Sequence, residues 1–169
     1  MGCREAGALN GQTGTSDPMI YLIRHADAVS DEVDLVRPLS PRGREQIARV
    51  CGILRKKGGF RPREIWHSPL ERSRETAELL AKGLELSAPL VLTPGLTPDD
   101  DPAKIAAVLE TEAGDIALVG HEPHLGVLSA LMVHGPERAA AFFHFPKAGV
   151  LALSPDGRRW RPEWLVKSA

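Results

Sequence analysis

The sequence predicts an α/β protein in three layers: a mostly parallel central sheet wrapped by helices, with an antiparallel hairpin at its C-terminal end. Two observations carry this. From Met19 onward, apolar runs of strand length alternate with longer segments whose apolar residues recur at helical spacing, and a strand–helix–strand–helix order closes most simply as a parallel sheet covered on both faces. After Gly149 the helical period gives way to two apolar stretches that flank a turn. At 169 residues, 43% hydrophobic and 25% charged, the chain is long enough to bury the core of one domain.

Met19-Ile20-Tyr21-Leu22-Ile23 reads as a buried first strand. Ser40-Pro41 supplies an N-cap and a first-turn proline for a helix in which Ile47, Val50, Cys51 and Leu54 share a face and Gly58-Gly59 ends the element. Ile65-Trp66 centres a short second strand. Ser68-Pro69-Leu70-Glu71 then reads as a capping box for a second helix that runs to about Gly83, with Ala77, Leu80, Ala81 and Leu84 inward. Leu90-Val91-Leu92 is a third strand, and Asp101-Pro102 opens a third helix through Ile105, Val108 and Leu109. Ile116 to Val119 is a fourth, central strand, and a fourth helix starts near Pro123 and ends near Gly135. Gly149–Leu153 and Trp160–Val166 form the hairpin around Pro155-Asp156-Gly157.

Residues 1–17, with Gly2, Gly7, Gly11 and Gly14 among polar neighbours, read as a flexible extension before a single domain over 18–169. They lack the basic start and apolar core of a signal peptide. Met1-Gly2-Cys3 lacks the Ser or Thr that acylation wants at position 6, where Ala6 stands. Cys3 and Cys51 make neither a disulfide framework nor a zinc site, and a reducing, cytoplasmic setting follows. The 21 Lys plus Arg nearly cancel the 22 Asp plus Glu, for a net charge of −1. Bulk charge therefore gives no reason to expect nucleic acid or a membrane surface as a partner.

Affinity for an anion must instead be local. In open α/β sheets ligands bind beyond the carboxyl ends of the strands. There the sequence places Arg24-His25 after strand one, Ser68 and then Arg72 after strand two, and His121 after strand four. Cations gathered there repel one another unless an anion fills the space. Arginine forks and helix N-termini match the oxygens of a phosphate. A neutral imidazole flanked by arginines keeps its lone pair for attack at phosphorus, which singles out His25.

Leu22-Ile23-Arg24-His25-Ala26-Asp27-Ala28, Ser68-Pro69-Leu70-Glu71-Arg72-Ser73-Arg74-Glu75-Thr76 and Val119-Gly120-His121-Glu122-Pro123, in this order, resemble the histidine phosphatase, or phosphoglycerate mutase-like, superfamily. Arg37-Pro38-Leu39-Ser40-Pro41-Arg42-Gly43 and the short length resemble specifically its SixA-type phosphohistidine phosphatases. The likeness spans roughly Met19 to Trp164. It implies a phosphoglycerate mutase-like fold and a cofactor-independent phosphatase in which His25 accepts the phosphoryl group, Arg24 and Arg72 hold its oxygens and His121 stabilises its charge. It also places Arg37 near the pocket as a substrate-binding residue.

Ser68 reads first as a helix cap and second as pocket lining, and Arg72 has Glu75 and Asp27 as alternative ion-pair partners. His121 and His124 flank Glu122-Pro123 without the further ligands a metal site needs. Phe142, Phe143 and Phe145 read as a cover for a sheet edge, and His134 as a helix C-terminal residue. Ala26 stands where many relatives have glycine, and its methyl group would restrict positive φ there. No motif after strand three matches the glutamate that relatives acting on phosphate esters use as acid. Asp99, Asp100, Asp101 and Glu122 stay open as donors, with Asp101 more simply a cap.

An alkoxide leaving group needs general-acid help typically worth ~10²–10⁴-fold, whereas a protonated imidazole leaves readily. The expected substrate is therefore phosphohistidine on a protein, on a phosphorelay protein or a metabolic carrier, with inorganic phosphate as product and neither metal nor cofactor. A small-molecule phosphomonoesterase and a non-catalytic phosphate-binding module are the alternatives.

Overall fold

The computed structural model describes residues 17–34, 36–138 and 143–168. The readings of residues 1–16 and Phe142 lie outside the described residues.

The elements follow in the order β1 (Ile20–Arg24), α1 (Pro41–Lys57), β2 (Glu64–His67), α2 (Glu71–Gly83), β3 (Leu90–Leu92), α3 (Pro102–Glu110), β4 (Ile116–Gly120), α4 (His124–His134), a 3-10 turn (Pro136–Arg138), β5 (Val150–Asp156) and β6 (Arg159–Val166). Among the described residues the sheet has six strands in the order β3-β2-β4-β1-β5-β6. β3, β2, β4 and β1 are mutually parallel, β5 is antiparallel to β1, and β6 is antiparallel to β5. The fold is the predicted mixed α/β sheet with its C-terminal hairpin.

Alternation along the strands divides the core into two layers. Tyr21 and Ile23 of β1, with Ile65, Ala117 and Val119, face Ile47, Val50, Leu54, Ala77 and Leu80 of α1 and α2. Ile20 and Leu22, with Trp66, Ile116 and Leu118, face Ile105, Leu109, Leu125, Leu128 and Met132 of α3 and α4. A side chain such as Leu22, buried completely, contributes about 1.5–3 kcal/mol by leaving water. No helix among the described residues is long and apolar enough to cross a membrane.

Ser40 caps α1, accepting from the Gly43 amide at 3.1 Å, and Asp101 caps α3, accepting from Ala103 at 3.0 Å. The capping box at Ser68 does not form. α2 begins at Glu71 with Leu70 in the cap position and no side-chain cap bond, because the Ser68 hydroxyl is engaged elsewhere. Ala81 of α2 and Leu84, which follows its end, are only partly buried, and Val108 of α3 is exposed. The hairpin turn also shifts. Asp156 pairs with Arg159, so Pro155 and Asp156 belong to β5 and the turn is Gly157-Arg158, with Gly157 at φ 61°, where a residue without Cβ is unstrained.

Candidate active site

Three neighbouring parallel strands deliver the polar residues. β4 lies between β2 and β1, so the ends of the first, second and fourth strands in sequence become adjacent in space. Arg24 is in register with Gly120, and the His25 amide donates to the Gly120 carbonyl at 3.0 Å. Each strand then contributes one more residue, and those residues are His25 and His121. Their ring centroids lie 5.0 Å apart.

His25 is 7% exposed, and its Nδ1 lies 2.7 Å from the Ala26 carbonyl oxygen. A carbonyl only accepts, so Nδ1 carries the proton and donates, leaving Nε2 as the lone pair. The ring's pKa is pushed down to about 4, chiefly by burial and further by the charges of Arg72, Arg24 and Lys147, against the pull of the Ala26 carbonyl. The free ring is therefore neutral near pH 7. Thr76 Oγ1 accepts from the Ala26 amide at 3.1 Å and donates to the Arg72 carbonyl at 2.7 Å, which fastens the turn after His25 to the first turns of α2. Ala26 is fully buried in the α1/α2 layer, and among the described residues the positive-φ residues other than glycine are Arg37, Glu85 and Ala148. The Ala26 methyl group is therefore accommodated in the core, with no left-handed backbone for it to strain.

His121 is 1% exposed, and its Nε2 lies 2.6 Å from Ser68 Oγ. Its pKa falls to about 3, first through burial and then through His25, Arg72, His124 and Arg24. The cap reading of Ser68 is thus overturned: α2 has no side-chain cap bond, and the Ser68 hydroxyl bonds a histidine 53 positions on.

Arg24 donates through Nη1 to the Phe145 carbonyl at 2.7 Å. Arg72, in the first turn of α2, has its pKa lowered by burial and by the charge of Arg37. Neither alternative ion pair of Arg72 forms, since Glu75 pairs with Arg44 and Asp27 with Lys147. Arg37 has a left-handed backbone at φ 54°, unusual for a residue with a side chain. Its Nε donates to the Val29 carbonyl at 3.1 Å, and its charge reaches Arg72. Such a convergence of like charges is costly unless an anion fills it, and a dianion would be bound by its guanidinium forks.

The acids divide. Asp100 accepts from the Thr97 amide and hydroxyl at 2.8 and 2.7 Å, which hold its pKa low. Asp101 is occupied as a cap, and Asp99 is exposed. Glu122 differs. Burial raises its pKa against the pull of Arg24 and His144, whose Nδ1 lies 3.7 Å away. His124 is buried, which lowers its pKa against Asp100 and Asp101. His67 Nδ1 lies 2.9 Å from the Ser68 carbonyl. His134 ends α4 and stacks on Phe143, while Phe145 is buried in the α3/α4 layer. Among the described residues, no three His, Cys, Asp or Glu are grouped to hold a metal ion.

Sequence reasoning missed Lys147, which approaches His25 from the segment before β5, and the Thr76 tether. Lys147 stands at no diagnostic spacing, and Thr76 closes the quoted Ser68–Thr76 segment without a local signal that it bonds the Ala26 amide 50 positions away. Away from His25, a cavity of about 450 Å³ is lined by Glu110, Glu112, Arg158 and Trp160, and another of about 470 Å³ by Arg44, Ile47, Cys51 and Leu79.

Residues 20–97 match the family model described as histidine phosphatase superfamily (branch 1). The chain is 32% identical over 147 residues to an uncharacterized protein of Picosynechococcus sp., covering 83% of this chain and 87% of that one. It is 27% identical over 121 residues to the phosphohistidine phosphatase SixA of Escherichia coli, covering 69% of this chain and 74% of that one. Among solved structures, the protein histidine phosphatase SixA complexed with tungstate superposes with a TM-score of 0.78 at 22% identity, covering 89% of this chain and 97% of that one. A putative α-ribazole-5′-P phosphatase from Escherichia coli superposes at 0.71 with 19% identity, over 90% and 98%. At these identities the structural likenesses speak for the fold alone.

Proposed function

Because the chain belongs to the histidine phosphatase superfamily, we propose that it hydrolyses phosphohistidine on a protein through a phosphorylated His25. The observation that carries this reading is the His25 ring, held by the Ala26 carbonyl with Nε2 as its lone pair, beside His121 and within the fields of Arg24 and Arg72. The Nε2 lone pair attacks phosphorus. The bond from phosphorus to the substrate imidazole breaks, and that nitrogen keeps the bonding pair and takes a proton from water. A second water then attacks phospho-His25: its oxygen bonds phosphorus, the proton it gives up neutralises the hydroxide left by the first step, and the bond from phosphorus to Nε2 breaks with its pair returning to Nε2 as inorganic phosphate leaves. Arg24 and Arg72 carry the charge on the transferring oxygens, Arg37 extends the cationic wall, and no cofactor enters.

Preference for a phosphorus–nitrogen bond is supported by the acids after β3. Asp100 is committed to Thr97 and Asp101 to α3, so neither is a free carboxylic acid for a poor leaving group. The expected partner is a cytoplasmic phosphorelay or carrier protein. A second reading, a small-molecule phosphomonoesterase, is favoured by Glu122, an acid near Arg24 whose pKa burial raises.

Rapid quench with a radiolabelled phosphohistidine protein tests the proposal. The expected result is an acid-labile phosphoenzyme that is lost in His25→Ala together with turnover. Phosphate-dependent binding without phosphate release would select a binding module. Much faster turnover of sugar or nucleotide monophosphates, abolished in Glu122→Gln, would select the second reading.

A further inference from the structure

We infer that Ser68 is a positioning residue that fixes His121 as its Nδ1–H tautomer, so that His121 faces the phosphoryl group as a neutral hydrogen-bond donor while His25 faces it as a lone pair. What His121 does with that proton rests on the phosphoryl-transfer reading above. Which nitrogen carries the proton does not.

Ser68 is 0% exposed and His121 1%, so neither the hydroxyl nor the ring can turn to water. Ser68 Oγ has two neighbours within hydrogen-bond reach among the described residues: the Leu70 amide at 3.3 Å, which only donates, and His121 Nε2 at 2.6 Å. The hydroxyl proton therefore has one acceptor, Nε2. The opposite assignment, with the proton on Nε2, would leave the buried hydroxyl hydrogen with nothing to bond, at about 1–3 kcal/mol. With Nε2 accepting, the neutral ring carries its proton on Nδ1. That nitrogen is buried and has no hydrogen-bond partner among the described residues.

Ser68 is itself held at both ends. Its amide donates to Ser73 Oγ at 3.1 Å, and Ser73 Oγ donates to the Val119 carbonyl at 2.8 Å, two residues before His121. The Ser68 carbonyl accepts from His67 Nδ1 at 2.9 Å. α2 and β4 therefore fix the hydroxyl against the ring that it orients. His25 is the complement, since its Nδ1 is spent on the Ala26 carbonyl at 2.7 Å. The two rings, 5.0 Å apart, have different jobs because each has its other nitrogen tied to a different kind of partner, an acceptor for one and a donor for the other. Burial and the surrounding cations keep the His121 ring neutral, so the positive charge at the site comes from Arg24 and Arg72. An N–H aimed at an oxygen that gains charge in the transition state is worth more there than in the ground state.

Long-range ¹H–¹⁵N correlation NMR on the full chain with labelled histidine, with and without vanadate, reads the tautomer directly. The expected wild-type pattern is a protonated Nδ1 and an unprotonated Nε2 on His121, and the reverse assignment overturns the inference. In Ser68→Ala the ring should move toward the Nε2–H form, and kcat should fall about 10²-fold, the scale of losing one preorganised donor, with KM changed far less. Ser68→Thr, which keeps the hydroxyl, should restore the tautomer and recover most of kcat. A Ser68→Ala protein with both the wild-type tautomer and the wild-type kcat would also overturn it. A chain without phosphatase activity but with Nδ1–H on His121 would defeat the functional reading and uphold the tautomer assignment.

Discussion

Lys147 Nζ lies 2.6 Å from Asp27 Oδ1, joining the segment before β5 to the loop that leaves β1. Ser40 donates to the other carboxylate oxygen at 2.6 Å, and together the two donors hold the Asp27 pKa below its usual range. With 36% and 22% of the two side chains exposed, solvent screens the pair. Lys147→Met should therefore cost no more than about 1 kcal/mol at pH 7. A carboxylate with a depressed folded pKa contributes stability above its unfolded pKa and loses it as pH falls through the folded one. The gap between Lys147→Met and wild type should accordingly narrow below about pH 4. Urea denaturation at pH 7 and pH 3 checks this, and a gap independent of pH would count against the pairing.

The two active-site imidazoles make a larger contribution of the same sign. Folding lowers the His25 pKa to about 4 and that of His121 to about 3, whereas both would titrate near 6.5 in the unfolded chain. Between about pH 6.5 and 4 the unfolded chain binds protons that the native protein refuses, so stability is fully present above 6.5 and is lost as pH falls. Each ring contributes a slope of about 1.4 kcal/mol per pH unit across that window. In phosphate-free buffer, a denaturant series from pH 6 to 4.5 should show His25→Asn flattening the slope by roughly one proton. An unchanged slope in that variant would mean that the ring is not held neutral.

Arg72 stands in the first turn of α2, partly buried and without a carboxylate partner among the described residues. Arg72→Ala should therefore leave the fold largely intact while removing one or two charge-assisted hydrogen bonds to the transferring phosphoryl group, at about 1.5–3 kcal/mol each. Because charge on those oxygens grows in the transition state, the loss should appear mainly in kcat and in kcat/KM rather than in KM alone. A variant with normal kcat and weakened KM would recast Arg72 as a ground-state anchor.

The order of elements was legible because hydrophobic period is local. β4 is apolar throughout and β1 is apolar up to Arg24, and Ser40 and Asp101 announce their helices within three residues. What was illegible depends on which strands become neighbours. Ser68-Pro69-Leu70-Glu71 has the form of a capping box, but the acceptor of the Ser68 hydroxyl proton is His121, and that proximity follows from β4 inserting between β2 and β1. Lys147 was invisible for the same reason, since its approach to Asp27 spans 120 positions. Glu122 could be named from its place beside His121, but not its burial near Arg24.

Two glycines of one helix should respond to alanine in opposite directions. Gly43 and Gly52 both lie in α1, where alanine is intrinsically better than glycine by about 1 kcal/mol. At Gly52 a Cβ would meet nothing within 4 Å, so Gly52→Ala should stabilise the protein by up to that amount. At Gly43 a Cβ would stand 2.0 Å from the Asp27 carbonyl oxygen, a contact that backbone must move to relieve. That carbonyl also accepts from the Ser40 amide at 3.0 Å, and Asp27 lies two residues from His25. Pushing it away loosens the α1 cap and the turn that aims His25 together. Gly43→Ala should therefore cost about 1–3 kcal/mol, the range for overpacking, and lower kcat with it. Thermal melts of the two single variants check the sign. Stabilisation by both would mean that the close approach of α1 to the Asp27 backbone is not what holds the nucleophile's loop.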